Sequence, residues 1–306
     1  MLMRNSILWA ANNGTLRRQV MRSRLARPVA RRFVAGETAM QALETTAQLN
    51  AKGAHVTLDY LGENVTSAAE AAAVRDTYLG LINEITQRSL DCNVSLKLTA
   101  LGLDIDHDTC WANLRAILQA AQPHDLFVRL DMEGSAYTQT TLDIFEQMFV
   151  GEGFRNVGVV LQSYLYRSAN DVERMNELGA RVRLCKGAYK EPPTLAYPDK
   201  ADVDRNYREL ARRLLCYGNY PGLATHDSAI IDWVKQFVRD ERIGRERYEF
   251  QMLYGVRRDL QQQLIAEGHH LRVYVPFGEA WYPYLMRRMA ERPANLLFIL
   301  KALRHR

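Results

Sequence analysis

The chain has 306 residues, 47% hydrophobic and 25% charged, a balance that excludes a disordered or fibrous polymer and allows a sizeable core. Net charge is +5, yet residues 1–36 hold eight arginines and no lysine or acid, so removing that segment leaves −3; the basic excess therefore belongs to that segment and gives no support for nucleic-acid binding by the main body. No apolar run approaches the roughly 20 residues of a membrane span, and the four cysteines lack CxxC pairing or a histidine at ligand spacing, which excludes a zinc site or disulfide framework and favours a soluble protein in a reducing compartment, at most peripheral to a membrane.

The Arg-rich segment is open to three readings: a solvated helix, a membrane-surface contact, or an organelle transit-like segment. Over 38–50, Ala39, Leu43 and Ala47 recur at helical spacing with Met40 alongside, ahead of a break at Lys52-Gly53. Short β-type runs then alternate with longer helical stretches, at 56–60, 94–98, 126–131, 157–162, 182–186, 223–226, 248–253 and 271–275. The intervals mostly accommodate a crossover helix, which implies parallel pairing, and eight strands is the number that closes a barrel. With no repeat or linker beyond Thr38, the expected organisation is an N-terminal helical arm at 1–50 and a (β/α)₈ barrel catalytic domain at 51–306.

In such a barrel the C-terminal strand ends build the site. Polar residues stand there at nearly every strand: Lys97, Arg129, Asp131, Gln162, Arg183, Lys186, Thr225, His226, Gln251 and Tyr274. Strand alternation puts Arg129 and Asp131 on one face with Phe127, and Leu126, Val128 and Leu130 on the other, so the charged face points inward. The same parity groups Arg181, Arg183 and Cys185. Structural ion pairs would be the plain explanation. Against it, Lys97, Arg129, Arg183 and Lys186 face only Asp131 and Glu63 in this census, and the surplus calls for an anionic or electron-rich ligand.

Past the last strand, Pro283 suits a helix start and Pro293 an end, bounding a helix of about ten residues. Tyr284, Arg287, Arg288 and Glu291 fall on one stripe of it. Paired arginines beside a tyrosine suit a carboxylate clamp, although an isolated Arg-Arg pair usually marks a solvated face.

Ten segments in order complete the reading: FVAGET (33–38), LDYLGE (58–63), SLKLTALG (95–102), RLDMEG (129–134), VVLQSYL (159–165), VRLCKGAYKEP (182–192), LATHD (223–227), EFQMLYGVR (249–257), YVPFGEAW (274–281) and YLMRRMAERPAN (284–295). With them the chain resembles the proline dehydrogenases, both monofunctional enzymes and the corresponding domain of proline utilisation A proteins. The resemblance implies FAD over the barrel mouth, contacted by Arg129, Gln162, Arg183, Lys186, Gly187, Ala188, Tyr189, Thr225, His226 and Gln251, with Arg183 near flavin N5. It further implies a proline pocket of Lys97, Asp131, Leu253, Tyr274, Tyr284, Arg287 and Arg288, with Lys97 and Asp131 paired beneath the substrate ring and Glu63 and Glu291 supporting the arginines. The helix bearing Arg287 and Arg288 is placed across the mouth by the resemblance alone.

The implied reaction is the first step of proline catabolism: hydride leaves C5 of L-proline for flavin N5, giving Δ1-pyrroline-5-carboxylate, and the electrons pass to a membrane quinone. A pyrroline-5-carboxylate dehydrogenase is the implied partner, and the location is cytoplasmic with peripheral contact at the inner membrane surface. Two other readings compete. In a Schiff-base aldolase, Lys97 or Lys186 would be activated by surrounding cations; in a catalytically silent amino-acid-binding barrel, the polar groups would serve recognition alone.

Overall fold

The computed structural model describes residues 32–62 and 65–291, with side chains of the last helix described as far as Met286. The Arg-rich segment up to residue 31 lies outside the described residues. Eight strands, β1 (His55–Tyr60), β2 (Cys92–Leu96), β3 (Val128–Leu130), β4 (Val157–Gln162), β5 (Arg181–Cys185), β6 (Gly222–Ala224), β7 (Glu249–Leu253) and β8 (Leu271–Phe277), pair in chain order, all parallel, and β8 closes on β1. This is the expected (β/α)₈ barrel. The largest displacement from the expected positions is instructive: β2 starts at Cys92 because Cys92 pairs with Val56 of β1, and its end turns into a 3₁₀ segment at Thr99–Leu101.

Helices occupy the intervals: α1 (Ala39–Asn50), α2 (Ala68–Gln87), α3 (His107–Ala121), α4 (Ser135–Glu146), α5 (Ser168–Leu178), α6 (Lys200–Tyr217), α7 (Ser228–Asp240), α8 (Arg258–Ala266) and α9 (Trp281–Glu291). Their starts follow from side chains that accept the free N–H groups of the first turn. Thr38 and Gln41 form a capping box before α1, Ser67 accepts from Glu70 N before α2, and Asp106 accepts from Thr109 N before α3. Ala42 and Leu43 of α1 share the main core with the barrel strands, so packing runs continuously across position 50.

Outward strand residues such as Val94, Leu96, Val128, Leu130, Val159 and Leu184 are fully buried beneath the helices. The inward face is polar, as alternation required: Ser95, Arg129, Gly158 and Arg181 follow one another around the barrel in register. Interiors of this fold are ordinarily filled by branched apolar residues. Here two glycines make room for long polar chains instead. A Cβ at Gly158 would collide with the Arg181 carbonyl and come within 2.7 Å of the Phe127 ring, and one at Gly222 would collide with the Gln251 amide.

At the other end of the barrel, His269 is buried, with Nδ1 3.2 Å from the Tyr248 hydroxyl. Burial, then the nearby charges of Arg245 and Lys235, push its pKa from the ordinary 6.5 down to about 4. The unfolded chain therefore takes up this proton first as pH falls. The stability that neutral His269 contributes is complete above pH 6.5, declines below it, and is lost once the pH passes about 4. Native protein is expected to lose about 2 kcal/mol more than His269→Gln between about pH 7 and about pH 4.5 in urea titrations. Equal losses would show that His269 is not the group involved.

Candidate active site

A cavity of about 740 Å³ opens at the C-terminal ends of the strands, within the roughly 300–1,000 Å³ usual for ligand sites. Nearly every strand contributes: Asp59 from β1, Lys97 just past β2, Asp131 just past β3, Gln162 from β4, Arg183 and Cys185 from β5. Gln251 and Leu253 of β7 and Tyr274 of β8 complete the floor. The loop after β5 supplies Lys186, Gly187, Ala188 and Tyr189, and the loop after β6 supplies Thr225 and His226. Tyr284 and Leu285 of α9 also line the cavity, so this helix does lie at the mouth. The side chains of Arg287, Arg288 and Glu291, and all of Glu63, lie outside the described residues.

Arg183 is the hub of the floor. It is 6% exposed; Nη1 donates to Asp131 Oδ1 at 2.7 Å and to Ser95 Oγ at 3.2 Å, and Nε donates to Gln251 Oε1 at 2.5 Å. The Tyr274 hydroxyl donates to Asp131 Oδ2 at 2.6 Å, and the Arg183 guanidinium sits 5.0 Å from the Tyr274 ring centroid. Burial, then the charges of Asp131 and Asp59, hold the Tyr274 pKa well above the usual phenol value, so it stays a neutral donor. Charge-assisted bonds in a water-poor site fix geometry more firmly than neutral ones.

Two expectations about charge need correction. Asp131 bonds Arg183, Tyr274 and Ser95 rather than Lys97, whose ammonium lies 3.3 Å from Asp59 Oδ1. The supposed surplus of inward cations is also smaller, because carboxylates absent from the sequence census face them. Asp59 meets Lys97, Asp204 and Asp227 meet Lys186 at 2.5 and 2.9 Å, and Glu249 meets Arg272 at 2.8 Å. Asp59 and Glu249 were findable, since Asp59 ends β1 and Glu249 shares the inward parity of Gln251.

Arg129 stands apart from the other expected contacts, one layer below the cavity and outside its wall. It has no carboxylate partner among the described residues; Nη1 donates to the carbonyls of Val159 and Arg181 at 3.0 and 2.6 Å, and the guanidinium lies 4.7 Å from the Phe127 ring centroid. Burial and the charge of Arg183 push its pKa well below the usual guanidinium value.

Several wall groups present polar atoms in a defined sense. Gln162 donates to the Glu133 carbonyl at 3.2 Å, while its buried Oε1 has no hydrogen-bond partner among the described residues. His226 Nε2 accepts from Leu253 N at 2.9 Å. Gly187 has φ +105° and packs so close to Tyr164 that a Cβ would collide with the ring. That glycine lets the backbone turn back along the cavity wall.

A closed parallel barrel with a buried, charged cavity at its C-terminal strand ends defines a (β/α)₈ enzyme. The family model described as "Proline dehydrogenase" matches residues 42–301. Proline dehydrogenase 1 of Bacillus subtilis subsp. natto is 43% identical over 304 residues, covering 99% of both chains. Proline dehydrogenase of Deinococcus radiodurans is 45% identical over 279 residues, covering 90% of both. Among solved structures, proline utilization A (PutA) of Bdellovibrio bacteriovorus superposes with a TM-score of 0.81 at 25% identity, over 94% of this chain and 38% of that one. The chain belongs to the proline dehydrogenase family. Among the described residues no helix is long and apolar enough to cross a membrane.

Proposed function

We propose that this enzyme of proline catabolism oxidises L-proline to Δ1-pyrroline-5-carboxylate with FAD as its cofactor and a membrane quinone as final electron acceptor. One observation carries the reading: an Asp131–Arg183–Tyr274 cluster built on the buried Arg183 faces a cavity whose wall also holds an acceptor, Gln162 Oε1, with no donor among the described residues. A flavin ring carries an N–H for that oxygen and hydrogen-bond-accepting atoms for a guanidinium, so the donor set fits. Gln162, Arg183 and Gln251 would hold the ring, with Thr225, His226 and residues 186–189 along the rest of the cofactor. Bound FAD would supply the two-electron acceptor, taking the C5 hydride at N5.

The chain's own residues orient the reactants. Arg183 favours an electron-rich neighbour, and Asp131 keeps its guanidinium aligned. Arg287 and Arg288 bind the proline carboxylate, Leu253 and Tyr284 border the ring, and the substrate must arrive with its nitrogen unprotonated so that the lone pair can form the C=N bond. A pyrroline-5-carboxylate dehydrogenase would consume the product, and quinone reduction would bring the protein to a membrane surface. The Schiff-base alternative needs a lysine among cations, whereas Lys97 and Lys186 lie against carboxylates.

Purified protein is expected to show flavin absorbance that bleaches when proline is added without oxygen; colourless protein, or flavin that proline leaves oxidised, would end this reading. Tyr284 is 6% exposed at the cavity, and a bulky ring there leaves little room for a ring hydroxyl. Proline should exceed 4-hydroxyproline in kcat/KM by about 10-fold or more, and Tyr284→Ser should narrow the gap. Equal values for the native enzyme would contradict this role.

A further inference from the structure

Beneath the cavity floor, Glu249 and Arg272 form a pair that the mechanism above does not use. Glu249 is 2% exposed and lies outside the cavity wall. It accepts from Arg272 Nε at 2.8 and 3.0 Å and from Gln251 Nε2 at 2.5 Å, and Gln251 in turn accepts from Arg183 Nε at 2.5 Å. Arg272 is anchored from the far side by donation to the Val56 carbonyl at 2.8 Å.

We propose that Glu249 is a positioning residue: by accepting from Gln251 it fixes which end of that amide faces Arg183, and so fixes the aim of the Arg183 guanidinium at the cavity. The inference rests on the functional reading above. A guanidinium only donates and a carboxylate only accepts, so one amide orientation satisfies both neighbours. The flipped amide would set NH₂ against the guanidinium and oxygen against the carboxylate, leaving buried groups unsatisfied at about 1–3 kcal/mol each. Glu249 is held in the required form: burial alone would raise its pKa, but the charge and hydrogen bond of Arg272, together with Gln251, outweigh burial and keep it below the usual carboxylate range. The amide also has little room to move elsewhere. It crosses the barrel over Gly222, where any Cβ would collide with Nε2.

The competing role is simpler, with Glu249 serving only as the counter-ion of Arg272. Two variants separate the roles. In Glu249→Gln the acceptor-only group is lost and the amide order is no longer imposed. The double variant, Glu249→Gln combined with Arg272→Met, also lacks the acceptor-only group, but it leaves no guanidinium at 272 in want of a counter-ion.

For Glu249→Gln that melts as a folded protein, kcat should fall at least about 10-fold with KM for proline within about twofold, and the visible band of bound flavin should change shape. The double variant should stay at least about 10-fold below native in kcat with the same altered band. If Glu249→Gln does not fold, a double variant that folds with impaired kcat carries the inference alone. Native kcat and spectrum in folded Glu249→Gln would overturn it. So would a double variant restored to near-native kcat and band, or failure of both to fold, since either outcome leaves Glu249 only its pairing with Arg272. Native protein lacking flavin or proline turnover would fail the functional reading itself, a different result from these.

Discussion

Replacing Asp131 with alanine is expected to lower kcat/KM for proline at least about 100-fold. Asp131 accepts from Arg183, Ser95 and Tyr274 at once, at 2.7, 2.7 and 2.6 Å. Its loss would leave a guanidinium that is 6% exposed without its carboxylate and a partly buried phenol without its acceptor. Removing one partner of a buried pair costs about 3–5 kcal/mol in general, so the variant should also melt earlier. The kinetic loss must be measured well below that melting temperature to separate the two effects. Asp131→Asn keeps the shape and an oxygen for Arg183, so it should recover part of the stability while remaining impaired in turnover. An alanine variant within about threefold of native kcat/KM would remove Asp131 from the machinery.

Arg288→Met should raise KM for proline by about 10-fold or more, the equivalent of losing about 1.4 kcal/mol of charge-assisted binding. The first turn of α9 lines the cavity through Tyr284 and Leu285, and the Arg-Arg pair follows it on the same helix. Because the carboxylate does not react, its anchor should act on binding more than on the hydride step. A methionine fills similar volume without charge, so packing of the helix should survive. Steady-state kinetics over a wide proline range give the answer. An unchanged KM would detach Arg288 from the substrate carboxylate.

The strand count and the inward face of the barrel were legible because their cause is local. A period of two residues is written into segments such as Arg129, Leu130 and Asp131, and helix starts are written into caps such as Thr38 and Asp106. The partners of the charges were not legible. Lys97 meets Asp59 across 38 positions, Arg183 meets Asp131 across 52, and Tyr274 meets Asp131 across 143. Those meetings depend on the stagger of eight strands, which no single segment encodes. For the same reason an inward parity cannot tell a cavity floor from the layer beneath, and Arg129 fell on the lower one.

By itself, then, the order of residues determined a closed parallel barrel, a polar interior, and a set of motifs sufficient to name the family. Only the tertiary structure decided which cation meets which carboxylate, and that glycines at 158 and 222 clear the way for Arg129 and Gln251. Alternation and capping act between near neighbours in the chain, whereas the energy of a buried charge is set by whatever the fold brings within a few ångströms of it.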